Sequence, residues 1–134
     1  MTVNATDETE VAQLVEDWAG AVRRKDLSAI LDRHAHDILM FDVPPPMQSR
    51  GIDAYAKTWD VFFSWSRDPV IFDIREMDVA AGDDVAFVTA LMRCGGRDRD
   101  REDADLDFRL TMGLRKIDGR WIITHEHHSI PARD

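Results

Sequence analysis

The hydrophobic pattern of this 134-residue chain changes its period once, at Asp68-Pro69. Before that dipeptide, most apolar residues recur every three or four positions, as on the buried face of an amphipathic helix. After it, apolar and polar residues alternate, as in strands that have one buried face. Helices followed by alternating strands are typical of α+β proteins, in which the helices cover one face of an antiparallel sheet.

Three helices are predicted in the first half of the chain. The first ends near residue 24 and follows a loose tail at residues 1–6. Asp26 can cap a short second helix at 27–34 through its side-chain oxygen. The third helix spans about 52–66 and carries a stripe of aromatic side chains.

Five strands are predicted, and the last four are long and antiparallel. Their ranges are 37–43, 70–80, 84–94, 106–116 and 121–130. The prolines at 44–46 end the first strand because they cannot donate to a ladder. The turns at 81–84 and 117–120 contain the Gly and Asp that hairpins favour. We expect one domain over 1–134, with a small-molecule cavity where the sheet bends over the helices.

Composition argues against several classes of function. The formal net charge is −9, which disfavours nucleic acid and anionic membranes as partners. No apolar run is long enough to span a bilayer, and the first residues do not read as a secretory signal. We therefore expect a cytoplasmic protein. The single Cys94 excludes an internal disulfide and any multi-cysteine metal site.

The last predicted strand contains His125-Glu-His-His128, three of the five histidines of the chain. These residues ionise or bind metals near neutral pH, so the strand is a candidate for a functional site. With a period of two, Glu126 and His128 share one face with Thr124, and the other two histidines share the opposite face. Alternation does not decide which face lines the cavity, and a β-bulge would exchange the two faces.

Several short motifs are spread from about residue 11 to 131. They are FDVPPP at 41–46 with RG at 50–51, GDDVAF at 82–87, RLT at 109–111, KIDGRW at 116–121 and HEHHS at 125–129. In these motifs the chain resembles the nuclear transport factor 2-like (NTF2-like) superfamily, in its SnoaL-like, ketosteroid-isomerase-like branch. The resemblance implies a cone-shaped fold, with three N-terminal helices packed on a curved antiparallel sheet that encloses a pocket. It also implies a homodimer formed through the sheet.

The resemblance implies roles for individual residues as well. Asp42 matches the carboxylate that serves as general base in steroid isomerases of this fold. The Tyr and Asp of their oxyanion hole fall at Trp18 and near Met112, and neither side chain can donate an O–H. Steroid isomerisation by that mechanism is therefore not expected. Similarity to pocket-lining positions favours the face of Glu126 and His128 over the opposite face.

We predict Asp42 and His128 as an acid–base pair, because a carboxylate and an imidazole suit proton transfer near neutral pH. The predicted ligand contacts are Trp18, Trp59, Met112, Thr124, Glu126, Arg109 and His127. Two of the predicted site residues, Asp42 and Arg109, also have a structural alternative. Asp42 could be a turn residue bonded to nearby backbone N–H groups, and Arg109 could form a cross-strand ion pair. A His-x-His metal site with Asp42, His34 or His36 is a further alternative, but we predict neither a metal nor a cofactor.

Two functions from different classes stay open at this point. The first is a cofactor-independent isomerase, cyclase or dehydratase that acts on a small apolar carbonyl compound. The second is a non-catalytic module that binds a ligand or forms a dimeric interaction surface. The methionines and aromatic residues predict a soft, flat cavity wall, which suits an apolar ligand better than a sugar or a phosphate.

Overall fold

The computed structural model describes residues 3–97 and 104–132. In chain order these residues form α1 (Val3–Arg23), α2 (Leu27–Leu31), β1 (His34–Phe41), β2 (Ser49–Arg50), α3 (Ile52–Trp65), β3 (Phe72–Ala81), β4 (Val85–Gly96), β5 (Ala104–Ile117) and β6 (Arg120–Ser129). This is the predicted α+β architecture, with helices packed against a curved sheet that does not close. No helix within the described ranges is long and apolar enough to cross a membrane.

The six strands form one sheet in the order β2-β1-β6-β5-β4-β3. Strands β3 to β6 are an antiparallel meander, as the alternating pattern predicts. Strand β1 joins this meander by pairing with β6 in parallel, and β2 pairs with β1 in an antiparallel register. The parallel contact places the end of β1 beside the histidine-rich end of β6, with Phe41 opposite His127.

The core lies between the helices and the concave face of the sheet. Helix α1 turns Val11, Val15, Trp18 and Val22 toward it, at the spacing of one helical face, and all four are buried. The inward residues of β4 and β5 supply the opposite wall, because alternate strand residues point to the same face. Each fully buried aliphatic side chain contributes about 1.5–3 kcal/mol, so this shared core holds the helices on the sheet.

Within the described residues the structure contains helices at the three predicted places, but their ends differ from the prediction. Helix α1 begins at Val3, so the loose tail predicted at residues 1–6 is wrong from residue 3 onward, and residues 1–2 lie outside the described part. Asp26 caps α2 as predicted, accepting a hydrogen bond from the Ala29 backbone N–H at 3.2 Å. Helix α2 nevertheless ends at Leu31, because Arg33 has a positive φ of 60° and the chain then extends into β1.

The sequence correctly predicts a tight turn from its residues, but it does not predict which distant strands pair. The 117–120 hairpin is confirmed, and Asp118 and Gly119 both adopt the positive φ that a tight hairpin turn requires. Strand β1 begins at His34 rather than at residue 37, and β2 was not predicted. Strand β4 continues to Gly96, two residues beyond its predicted end at residue 94, and residues 98–103 lie outside the described part.

A β-bulge at Thr124 interrupts β6. Leu114 pairs with Ile123 and Gly113 pairs with His125, so Thr124 is left without an opposite residue on β5. Before the bulge, Trp121 and Ile123 point into the core; after it, Glu126 and His128 do so. Because of this extra residue, the side chains of β6 that point into the core are apolar at the start of the strand and ionisable at its end.

Candidate active site

A cavity of about 380 Å³ lies between α3 and the concave face of the sheet. Its walls are mainly aromatic, with Trp59, Phe62 and Trp65 from α3, Phe72 from β3 and Phe108 from β5. Its ionisable lining groups are Asp42, Cys94 and His128. This volume, and an apolar lining with a few polar groups, fall within the range typical of small-molecule pockets.

Glu126, one of the predicted ligand contacts, does not line this cavity and is fully buried. Its Oε2 atom is 2.7 Å from His34 Nε2 and 2.7 Å from the Tyr55 hydroxyl, and its Oε1 atom is 3.2 Å from His128 Nε2. Burial alone would raise the pKa of Glu126, but hydrogen bonds and charge from His128 and His34 lower it to about 2. The side chain is therefore a buried carboxylate at neutral pH.

Tyr55 joins α3 to this carboxylate. Its hydroxyl accepts a hydrogen bond from Trp18 Nε1 at 3.1 Å and donates to Glu126. Burial, followed by the charge of Glu126, raises the pKa of Tyr55 well above its usual value. Tyr55 therefore remains a neutral phenol, which can donate its proton to the carboxylate in a hydrogen bond.

His34, Tyr55, Glu126 and His128 form a buried polar cluster, and of these four residues His128 also lines the cavity. Its Nε2 atom contacts Glu126, and its Nδ1 atom lies 3.8 Å from Asp42 Oδ1. The ring packs against Phe108, Trp18 and Trp59, with distances between ring centroids of 5.5 Å, 6.2 Å and 6.4 Å. The imidazole is thus held on one side by the Glu126 carboxylate, and its other nitrogen faces Asp42, which lines the cavity as His128 does.

Asp42 follows the end of β1 at the cavity rim. Its Oδ1 atom accepts a hydrogen bond from the Val43 backbone N–H at 2.8 Å, which is the turn contact that the sequence offered as an alternative. The side chain is 23% exposed, and it also faces His128. Asp42 therefore has both roles: it forms the turn contact with Val43, and its carboxylate lines the cavity.

The structure brings together some of the predicted ligand contacts and separates others. Trp59 lines the cavity, whereas Trp18 and Met112 are buried in the core and do not line it. Trp18 instead supports Tyr55, and Met112 pairs with Glu126 across the sheet. Burial on the inward face of an element does not by itself bring a side chain to the cavity.

The predicted contacts Thr124, Arg109 and His127 also lie away from the cavity. Thr124 occupies the bulge and donates its hydroxyl hydrogen to the Gly113 carbonyl at 3.2 Å. Arg109 and His127 are exposed on the convex face of the sheet, where Arg109 Nε donates to Ser129 Oγ at 3.0 Å. Arg109 thus forms a cross-strand hydrogen bond with a serine, not the ion pair that was its structural alternative.

Two members of the polar cluster were not recognised from the sequence. The sequence pattern places Tyr55 in the aromatic stripe of the third helix, and it offers His34 only as a possible metal ligand. A signal for Tyr55 existed, because a buried tyrosine hydroxyl usually has a hydrogen-bond partner. No comparable signal existed for His34, because its approach to Glu126 depends on the parallel pairing of β1 with β6.

The alternative of a His-x-His metal site has no matching set of side chains within residues 3–97 and 104–132. No group of three or more His, Cys, Asp and Glu side chains in these ranges could hold a metal ion. His125 Nδ1 instead contacts the Leu39 carbonyl at 2.7 Å, and the rings of His125 and His127 both pack against Phe41.

The sequence matches the family model of the SnoaL-like domain over residues 11–133. No curated protein matches it. Among solved structures, an NTF2-like protein of unknown function from Pseudomonas putida KT2440 is 34% identical. That likeness covers 95% of this chain and 88% of the other, with a TM-score of 0.84.

Two further solved structures share the fold at lower identity. A candidate aromatic ring hydroxylase from Novosphingobium aromaticivorans is 17% identical, with a TM-score of 0.80 over 96% of this chain and 92% of the other. A candidate ketosteroid isomerase from Shewanella frigidimarina NCIMB 400 is 20% identical, with a TM-score of 0.72 over 87% of this chain and 92% of the other. At these identities the likeness shows the fold alone.

Proposed function

Because the chain belongs to the SnoaL-like domain family, we propose that it is a cofactor-independent enzyme that acts on a small apolar carbonyl compound by acid–base chemistry. The reaction class is isomerisation, cyclisation or dehydration, each of which begins with proton transfer next to a carbonyl. The observation that carries the proposal is the position of His128, whose Nε2 atom contacts buried Glu126 while its Nδ1 atom faces the cavity and Asp42.

In the proposed reaction, His128 Nδ1 removes a proton from the carbon beside the substrate carbonyl. The C–H electron pair becomes the enolate, and the proton forms the new N–H bond of an imidazolium. Asp42 Oδ1, 3.8 Å away, stabilises that cation after a small rotation of either side chain. Return of the proton to a different carbon completes an isomerisation, and its delivery to a departing hydroxyl group, which leaves as water, completes a dehydration.

The charge of the cavity supports a neutral substrate. The described lining residues include the Asp42 carboxylate and no lysine or arginine. A ligand carboxylate or phosphate at this wall would meet a like charge without a matching cation, which is costly away from water. The aromatic walls instead favour a flat hydrocarbon skeleton that places its carbonyl end toward His128.

The experiment measures hydrogen–deuterium exchange next to the carbonyl of small neutral ketones and enones in D2O, followed by NMR. Compounds that raise the melting temperature of the protein are tested first. We expect His128→Gln to lower the exchange rate by about 10²–10⁴-fold and Asp42→Asn to lower it less, since general acid–base groups contribute on that scale. His127→Gln is the matched control, because this neighbouring histidine is exposed on the convex face.

Two outcomes would count against the proposal. One is exchange or turnover that persists unchanged in His128→Gln. The other is a set of compounds that bind the cavity tightly while none of them exchanges or reacts, which would instead indicate the non-catalytic ligand-binding alternative.

A homodimer formed through the convex face of the sheet is part of the same proposal. Val85, Phe87 and Leu91 lie on that side of β4 and are 55%, 55% and 47% exposed. A second copy of the chain would remove this apolar surface from water. Light scattering should give twice the monomer mass for the native protein and the monomer mass for Phe87→Glu. A monomeric native protein at micromolar concentration would contradict the dimer.

A single SnoaL-like domain over residues 1–134 and a cytoplasmic location complete the proposal. The family match over 11–133 supports the first, and the buried free thiol of Cys94 is compatible with a reducing compartment. Limited proteolysis that leaves one resistant fragment of nearly full length would support one domain. Fractionation of the native host, with the protein found outside the cytosol, would contradict the location.

A further inference from the structure

We propose that His34 and Glu126 form a buried ion pair that positions His128 with a proton on Nε2 and none on Nδ1, the nitrogen that faces the cavity. His34 and Glu126 are then positioning residues, since neither lines the cavity. The inference rests on the proposed function for its consequence in catalysis. The protonation states that it assigns can be measured without any substrate.

The first step is the protonation of His34. Its Nδ1 atom lies 2.9 Å from the Asp32 backbone carbonyl, which can only accept a hydrogen bond, so Nδ1 carries a hydrogen. Its Nε2 atom lies 2.7 Å from Glu126 Oε2. Both side chains are completely buried, and the His34 ring stacks on Tyr55 with centroids 4.8 Å apart.

The second step is the charge on Glu126. The Tyr55 hydroxyl already accepts a hydrogen bond from Trp18, and its own hydrogen is directed to Glu126 Oε2 at 2.7 Å. Together with His34 and His128, three donors converge on the two carboxylate oxygens, which suits an ionised group that only accepts. A buried carboxylate requires a nearby cation, and the closest group that can carry a positive charge is His34, at 2.7 Å against 3.2 Å for His128. His34 is therefore protonated on both nitrogens.

The third step is the tautomer of His128. Glu126 Oε1 lies 3.2 Å from Nε2 of this ring and, as a carboxylate oxygen, requires a hydrogen there. The neutral ring then has no hydrogen on Nδ1. The polar group facing Nδ1 is Asp42, and the neighbouring rings of Trp18, Trp59 and Phe108 bring no charge. A carboxylate that orients an imidazole in this way fixes which nitrogen accepts a proton.

The ion pair also affects how readily His128 releases a proton. Because His34 already neutralises Glu126, His128 is not needed as the cation of the buried cluster. If His34 is replaced by a neutral residue, His128 becomes the nearest group that can neutralise Glu126, and it should then keep protons on both nitrogens. His34 thus leaves His128 free to act as a base.

The test is nitrogen NMR of the full chain labelled with ¹⁵N-histidine, at neutral pH and without ligand. We expect His34 with both nitrogens protonated and His128 with its hydrogen on Nε2. In His34→Gln, His128 should become doubly protonated. In Glu126→Gln, His34 should become neutral. The matched control is His36→Gln, an exposed position on the same strand, which should leave both signals unchanged.

The native spectrum decides the inference even if a variant does not fold. A neutral His34 in the native protein, or a hydrogen on Nδ1 of neutral His128, would overturn it. Because this readout needs no turnover, failure of the proposed enzyme activity would leave the assigned protonation states intact, and the two failures are distinguishable.

The kinetic consequence follows once a substrate is known. We expect His34→Gln to lower turnover by about tenfold at neutral pH, with recovery at higher pH as His128 loses its extra proton. A merely structural role would lower turnover at every pH alike, and that result would contradict the positioning role.

Discussion

Nε2 of His128 lies 3.2 Å from Oε1 of Glu126, and this contact joins the solvent-open cavity to a carboxylate that solvent cannot reach. The two residues are two positions apart on β6, so they share a face of the strand. A change at either residue should therefore affect both the stability of the fold and the chemistry of the cavity.

Glu126 should make stability depend on pH in the acid range. Its pKa is lowered from 4.5 to about 2 in the folded protein, so its contribution is complete above the unfolded value and is lost as pH falls toward 2. The native protein should lose about 3 kcal/mol of unfolding free energy through this group between those limits. Urea unfolding at a series of pH values measures the loss.

Glu126→Gln is the comparison for that measurement. The amide cannot titrate, so the unfolding free energy of this variant should fall less steeply with decreasing pH than that of the native protein. Parallel pH curves for the two proteins would show that Glu126 is not ionised in the native state.

Tyr55→Phe should destabilise the protein by about 1–3 kcal/mol, because it removes a donor to Glu126 and leaves Trp18 Nε1 without its acceptor. Ser64→Ala on the same helix is the control. Its hydroxyl bonds a backbone carbonyl at the exposed surface, so the change should stay within about 0.5 kcal/mol. Equal effects of the two substitutions in urea unfolding would contradict the role given to the Tyr55 hydroxyl.

Gly96→Ala should displace Trp65 from the cavity wall. A Cβ atom at Gly96 would lie 2.1 Å from Cε2 of that ring, which is far inside van der Waals contact. We expect a loss of about 1–3 kcal/mol in stability and a change in the ligands that the cavity accepts. Unfolding in urea and thermal-shift screening of the same ligand panel measure the two effects.

Gly20→Ala is the matched control for that substitution. Its added Cβ would meet only the flexible ends of arginine side chains, at 3.3 Å and 3.6 Å, within helix α1. The change should therefore stabilise the protein by about 0.5–1 kcal/mol. A Gly96→Ala protein as stable as the native one would show that Trp65 has room to move.

Cys94 should be unreactive in the folded protein although it lines the cavity. Burial, with smaller effects from nearby aspartates, raises the pKa of its thiol to about 12, and the residue is 3% exposed. Thiol labelling above neutral pH should be at least about a hundredfold slower in buffer than in denaturant, because the thiolate is the reactive species. Equal rates in the two solvents would place Cys94 in an open, solvent-exposed environment.

Much of the fold could be predicted from local pattern. The spacing of Val11, Val15 and Val22 indicates a helix, and the alternation from Leu106 to Leu114 indicates a strand, since each pattern repeats the geometry of its own element. The cap at Asp26 and the hairpin turn at 117–120 depend on neighbouring residues alone. The parallel pairing of β1 with β6 joins residues far apart in the chain, and nothing local specifies it.

The candidate site, like the fold, could be predicted from the sequence only in part. The residue types near the end of β6 and Asp42 after β1 are visible in the sequence, and they indicate acid–base chemistry. Which of them share a cavity depends on the bulge at Thr124, on the β1–β6 pairing and on the position of α3. These contacts between distant elements bring His34 and Tyr55 to Glu126, and local periodicity carries no information about them. Local pattern thus specifies most of the helices and strands and supplies the chemical groups, whereas contacts between distant elements specify which of these groups meet.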